Sequence, residues 1–219
     1  EIKNAKAGKP AAITIKLNSL SDLDLIKKLN DAAVAGVSIH MIVRGIFCAH
    51  VDHKKFNAKP RAISIVDEYL EHARVMIFCN GGKEKVYISS ADWMVRNIDH
   101  RVEAAVPILD PAIKKELQDI IHIQLQDNVK ARVLDSALLN NYVPSGQRKK
   151  IRSQIETYLY LQIHVNTCDI KWDENDNELP ASKPILKPGI EATKTVVDLD
   201  SEKETIVDNE IFAIDDLDE

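Results

Sequence analysis

Residues 11–43, AAITIKLNSLSDLDLIKKLNDAAVAGVSIHMIV, decide the fold, because a strand period, a helix period and a second strand period follow one another in them. Ala11 to Leu17 reads as a strand, and Asn18-Ser19-Leu20-Ser21 breaks it with residues that cap helices. In the helix that follows, Leu25, Ile26, Leu29, Ala32 and Ala33 recur at spacings of three and four. Asp22 and Asp24 suit its positive N-terminal end, and Gly36 can supply a left-handed stop. Val37 to Val43 is the next strand, so the segment is a strand-helix-strand unit and the chain an α/β protein.

Outward from that unit, residues 44–59 lose any period and read as a loop leaving the C-terminal end of a strand, the edge where open α/β sheets bind ligands. Ser64 to Glu71 suits a short helix. Arg74 to Phe78 and Val86 to Ser89 read as strands joined by the Asn80-Gly81-Gly82 hairpin turn. Val102 to Leu109 is a further strand, and Pro111 opens a helix to about Gln126. Asn128 to Leu139 reads as helix, while Ile155 to Val165 fits a last strand or a last helix. The expected body, residues 1–168, is a mixed, largely parallel sheet flanked by helices.

Composition bounds the function. The net charge of −5 divides into an excess of about +6 over residues 1–168 and about −11 over residues 169–219, so the body favours polyanions. Residues 169–219, with Pro180, Pro184 and Pro188 among acidic side chains, read as a flexible tail whose Ile211-Phe212-Ala213-Ile214 could dock. No apolar run approaches the roughly 20 residues of a membrane span. Cys48, Cys79 and Cys168 form no C-x-x-C pair and suit a reducing compartment, with the cytoplasm as the expected location. The first residues carry neither a start Met nor a signal-peptide core and suggest an excised piece of a longer protein.

The sharpest chemical pattern is His72-x-Arg74 opening a strand, followed after the turn by Ser89-Ser90-Ala91-Asp92-Trp93 and Arg96-Asn97. Alternate strand residues share a face, so an imidazole and a cation would meet there. The imidazole can attack phosphorus or move a proton, the cation can offset charge on non-bridging oxygens, and Ser89 and Ser90 would steady the same oxygens. The pattern resembles one half-site of the phospholipase D family, with two departures. Arg74 replaces that family's Lys, and Cys79 stands where its Asp would be, which speaks against ordinary phosphodiester hydrolysis.

Longer phrases around these residues resemble the polyphosphate kinase family: Ile15-Lys16-Leu17-Asn18-Ser19-Leu20, Ile42-Val43-Arg44-Gly45-Ile46, Leu70-Glu71-His72-Ala73-Arg74, Val86 to Met94, and Asp99-x-Arg101-Val102-Glu103. The resemblance implies the C-terminal, phospholipase-D-like domain of an enzyme that moves the terminal phosphate of ATP reversibly onto inorganic polyphosphate, with Mg²⁺ and through a phosphohistidine. It implies that the phosphorylated histidine and the metal ligands lie on a preceding domain, so the piece would be inactive alone and holds no metal ligand. Carried over by position, His72 is the catalytic candidate, Arg44 and His72 contact ATP, and Arg101, Lys16 and Arg74 lie towards polyphosphate. ATP or ADP and polyphosphate are the implied partners, in a homo-oligomer that is cytoplasmic or peripheral to the inner membrane, with no specific nucleic acid.

The residues support part of this independently. Arg44 ends a strand beside Gly45, where backbone can approach a ligand and a guanidinium can grip phosphate in two places. Against it, His50, Ile63, Glu68 and His100 stand where the family usually has Arg. His50-x-Asp52-His53 has a metal-like spacing without a third ligand nearby and reads as a polar loop. Asp92 reads as a structural turn residue. Two other readings compete: a non-catalytic polyanion or nucleotide-binding module, and a phospholipase-D-like phosphodiesterase.

Overall fold

The computed structural model describes residues 1–137, 139–165, 171–172 and 178–179. The chain divides into two compact units, Glu1–Cys168 and Asp169–Glu219. In the first, α1 (Ile2–Lys6), β1 (Ala12–Leu17), α2 (Leu23–Val34), β2 (Ser38–Val43) and β3 (Arg61–Ile65) come first. The antiparallel hairpin β4 (Arg74–Phe78) and β5 (Lys85–Ser89), α3 (Val95–His100) and β6 (Ala105–Pro107) follow. α4 (Pro111–Leu125), β7 (Ala131–Val133) and α5 (Ser153–Val165) complete it. In the second unit, β8 (Lys171–Trp172) pairs with β9 (Glu178–Leu179). Ile211 to Ile214 and the rest of the acidic segment lie outside the described residues.

The strand-helix-strand reading holds. Asp22 caps α2 by accepting from the Leu25 amide at 2.9 Å, and Gly36 ends it at φ +91°, a conformation a side chain disfavours. α2 buries Ile26, Leu29, Ala32 and Ala33 against Ile13, Ile15, Leu17, Ile39, Met41 and Val43 on one face of the sheet. The opposite face, with Ile42, Ile63, Ile65, Val75 and Val86, packs against Ile121 of α4. Each valine, leucine, isoleucine or methionine among them, fully withdrawn from water, contributes about 1.5–3 kcal/mol before entropy is charged.

The sheet has seven strands in the order β6-β5-β4-β1-β2-β3-β7. It is mixed, as expected, but not largely parallel. Only β1–β2 and β2–β3 pair in parallel, whereas β1–β4, β3–β7, β4–β5 and β5–β6 are antiparallel. Of the antiparallel pairs only β4–β5 is a hairpin; β5 reaches β6 through α3, and β1–β4 and β3–β7 join strands distant in sequence.

Three local expectations fail for physical reasons. Ser64 and Ile65 finish β3 rather than opening a helix, because Ala62, Ile63 and Ile65 bury themselves in the sheet. Residues 128–139 hold β7 rather than a helix. The buried carboxylate of Asp127 captures the amides of Val129, Lys130 and Ala131 at 2.8–3.0 Å and turns the chain into an edge strand. Of the strand expected from Val102 to Leu109, only Ala105–Pro107 pairs with β5. Ile155 to Val165 lies in helix α5.

Candidate active site

Strand direction assembles the site. β1, β2 and β3 run alike, so Asn18 and Arg44 emerge together from the C-terminal ends of β1 and β2. β4 runs the other way beside β1, so its first residue, Arg74, and the preceding His72 arrive at the same edge. β5 returns to that edge at Ser89, opposite Arg74. The loops there are tied to each other: Leu20 donates to the Ile46 carbonyl at 2.8 Å, Ser21 to that of Trp93 at 2.8 Å, and Trp93 to that of Ser19 at 3.1 Å. The segment expected as a loop after Arg44 is thus held at its root.

Arg44 donates from Nε to Asn18 Oδ1 at 3.0 Å. Its neighbour Gly45 has a purpose within the fold as well. The Gly45 amide donates to the Asn18 carbonyl at 2.7 Å, and a Cβ at this glycine would come within 3.0 Å of that oxygen. Gly45 therefore lets the β1 and β2 ends close on each other.

Asp92 is the centre of the arrangement. It is 4% exposed, and its Oδ1 accepts the backbone amides of Asn18 at 2.8 Å and Ser19 at 3.1 Å. Arg74 grips both carboxylate oxygens, Nε to Oδ1 at 3.2 Å and Nη2 to Oδ2 at 3.0 Å. Burial alone would raise the Asp92 pKa, but the Arg74 guanidinium and the two amides outweigh it and hold the carboxyl below its ordinary value. The far side of Arg74 meets the exposed ring of His72, with Nη1 3.1 Å from Nδ1 and Nη2 3.2 Å from Nε2, and Nη1 also donates to the His72 carbonyl at 3.2 Å. The imidazole and the cation meet, as the spacing requires, but the cation is committed to Asp92.

The remaining candidates divide. Lys16 is 6% exposed on the α4 side of the sheet, where its ammonium pairs with Glu71 and donates to Gln124 Oε1 at 2.9 Å. Burial pushes its pKa down, and Glu71 offsets part of that. Glu71 also accepts from Gln124 at 2.6 Å and Gln154 at 3.0 Å, and lines a cavity of about 230 Å³ with Tyr69, Gln124, Gln154 and Thr157. Lys16 thus faces an internal network. Arg101 is exposed beyond α3.

The hydroxyls of Ser89 and Ser90 are not left for a ligand. Ser89 donates to the Ala104 carbonyl at 3.1 Å, and Ser90 donates to Glu103, which also accepts from Asn97 Nδ2 at 2.6 Å. These bonds, Ser90 first, hold the Glu103 carboxyl below its ordinary pKa. They brace the 89–92 segment that carries Asp92.

Two absent family arginines have plain explanations. Ile63 is 1% exposed in the core and cannot line a channel, and Glu68 accepts from Arg152 at 2.9 Å. At the metal-like triplet, Asp52 accepts from Ser136 and His53 accepts from the Lys55 amide at 3.2 Å. Among the described residues no three His, Cys, Asp or Glu side chains converge as a metal site needs. Nor is any described helix long and apolar enough to cross a membrane.

Sequence reasoning missed Asn18, Glu71 and Gln124 and placed Asp92 only as scaffold. The one signal for Asn18 was its position directly after β1, and for Asp92 its place in the turn that follows β5. Gln124 had none, being 108 residues from Lys16.

Comparison with known proteins identifies relatives of this chain. The family described as polyphosphate kinase C-terminal domain 2 matches residues 1–154. Polyphosphate kinase of Escherichia coli K12 is 51% identical over 162 residues, covering 74% of this chain and 24% of that protein. The Vibrio parahaemolyticus polyphosphate kinase is 51% identical over 177 residues, 80% of this chain and 25% of its own length. The crystal structure of Porphyromonas gingivalis polyphosphate kinase superposes with a TM-score of 0.74 at 46% identity, covering 76% of this chain and 26% of that one. The chain thus spans about a quarter of the length of these relatives, and it belongs to the polyphosphate kinase family.

Proposed function

We propose that this domain supplies the gripping and assisting half of a site that transfers the terminal phosphoryl group of ATP, reversibly, to inorganic polyphosphate. The observation that carries the reading is the juxtaposition of Arg44 and His72 at one sheet edge, linked through Asn18, Asp92 and Arg74, in a chain of this family. Phosphoryl transfer is mostly positioning and charge stabilisation, and a rigidly rooted guanidinium beside an exposed imidazole offers both. Arg44 binds phosphate oxygens; His72 pairs with phosphate or gives a proton to a leaving oxygen. Arg101 extends the cationic surface towards the phosphate chain, while Lys16 supports the site from behind.

The phosphorylated histidine belongs to a part of the enzyme that this chain does not contain, so the chain by itself binds nucleotide without turning it over. The donor set here does not suit Mg²⁺: Asp92 is held by Arg74, Glu71 by Lys16, and Glu103 by Ser90 and Asn97. The family resemblance supports a homo-oligomer, cytoplasmic or peripheral to the inner membrane.

The test is titration of the chain with ATP and with polyphosphate, alongside Arg44→Ala, followed by turnover assays with ATP, Mg²⁺ and polyphosphate. Binding lost in R44A and no turnover by the chain alone is the expected result. Robust turnover by the chain alone overturns the division of labour, and binding indifferent to Arg44 overturns the assigned grip. A non-catalytic polyanion module would instead show His72→Ala leaving the rate of a full-length kinase untouched.

A further inference from the structure

We infer that Asp92 is a positioning residue that fixes Arg44 and His72 relative to each other, so that one buried carboxylate sets the geometry of both phosphate-facing groups. The inference rests on the proposed function and concerns a residue whose sequence context marks only a turn.

Three observations lead to it. First, Asp92 accepts from two directions. The Asn18 and Ser19 amides come from the end of β1, and the Arg74 guanidinium comes from the start of β4. Second, two of these donor residues, Asn18 and Arg74, each touch one functional side chain directly. Asn18 accepts Arg44 Nε through Oδ1, and the same residue's carbonyl takes the Gly45 amide, so side chain and backbone both lock Arg44 to the β1 end. Arg74 holds His72 by contacts to the ring and to the carbonyl. Third, among the described residues Arg74 has no second carboxylate to hold its guanidinium if Asp92 lets go. The Arg74 side chain is 12% exposed with Asp92 as its one acidic partner within 4 Å among the described residues, and Asn18 Nδ2 is buried without a hydrogen-bond partner.

The carboxylate is suited to this because it has two oxygens and about four lone-pair directions, enough for two amides and a two-pronged guanidinium at once. An amide in its place keeps the shape and one accepting oxygen. That oxygen can still take the loop amides, but the second prong then faces an NH₂ group and the charge attraction is gone. Arg74 then swings, and His72 moves with it while Arg44 stays. A neutral imidazole has one acceptor nitrogen for the guanidinium donors, so its orientation depends on where Arg74 points. Misplacement of a reacting group by about 1 Å can cost on the order of 100-fold in rate.

The experiment uses a full-length polyphosphate kinase carrying this domain, with Asp92→Asn, Arg74→Gln, Arg44→Lys and His72→Gln, singly and combined. The expected result for D92N is a fall in kcat of about 10- to 100-fold with KM for ATP changed less than about threefold, in a protein whose thermal unfolding stays cooperative. The R44K and H72Q effects, coupled in the parent, should become independent in the D92N background. A role in folding alone would move the unfolding temperature and leave the coupling intact. If D92N does not fold, R74Q breaks the same link while keeping the loop amides on Asp92, and wild-type kcat in R74Q overturns the inference. So does undiminished coupling between Arg44 and His72 in D92N. If R44K and H72Q themselves leave activity unchanged, the proposed function fails instead, which keeps the two outcomes apart.

Discussion

The two halves of the sheet are built differently. Around the parallel pairs of β1, β2 and β3, Ile15, Ile39, Met41, Ile42 and Ile63 are all at most 2% exposed, covered by α2 on one face and α4 on the other. In the antiparallel half, every residue of β6 is exposed, and Ile88 and Val106, paired across β5 and β6, are 40% and 50% exposed. Parallel sheets are stable when both faces are covered, whereas antiparallel ladders tolerate a wet side. The candidate site sits at the seam, where β1 meets β4. The rigid half supplies Arg44 on a fixed base, and the reversed strand brings His72 to it.

The largest expected break of this seam is chemical. His72→Ala in a full-length kinase should lower kcat by on the order of 10²–10⁴, the usual range for a lost acid-base group, with the folding midpoint unchanged because the ring is exposed. Steady-state kinetics beside thermal unfolding measures both.

The contrast between the halves is sharpened by equal truncations. Ile15→Ala should cost about 2–5 kcal/mol, for lost burial and the cavity left in a fully covered layer. Ile88→Ala, on the wet half, should cost less than about 1 kcal/mol. Urea denaturation of the two variants decides it, and comparable losses would erase the distinction.

A further substitution tests the support behind the site. Lys16→Met keeps the stem but leaves Glu71, 19% exposed, without its cation, at an expected cost of about 3 kcal/mol. Adding Glu71→Leu should recover most of it, since a well-packed apolar pair often replaces a buried ion pair without loss.

The smallest effect is in acid. The Asp92 carboxyl titrates lower in the folded chain than in the unfolded one, where it lies near about 3.9. The unfolded state therefore takes up the proton first, and the stability Asp92 contributes is whole above that value and lost as pH falls through the folded one. The stability difference between the parent and D92N should shrink from about pH 5 downwards. A difference that stays constant would show that Arg74 does not hold the charge.

Where the sequence succeeded, the determinants were neighbours. β1, α2 and β2 announce themselves through periods within one element, a capping aspartate and a glycine stop, and His72-x-Arg74 places two groups together by the pleat alone. Where it failed, a distant partner outvoted local preference. Ser64 and Ile65 became strand because β7 was there to pair with, and residues 131–133 became strand because β3 offered an edge. The reading of Ser89 and Ser90 as ligand donors failed for the same reason, since the segment that takes their hydroxyls returns 13 to 15 residues later.

By itself, then, the sequence determined the α/β class and put forward Arg44 and His72 as the candidates, which the fold brings to one sheet edge. Only the tertiary structure decided that Arg74 serves Asp92, that Lys16 turns inward to Gln124, and that Asn18 binds the two halves of the site. Asp92 and Asn18 are 74 residues apart and Lys16 and Gln124 are 108 apart. Hydrogen bonds act over about 3 Å, so which of two distant polar groups meet is set by strand order and direction, and no local pattern records that.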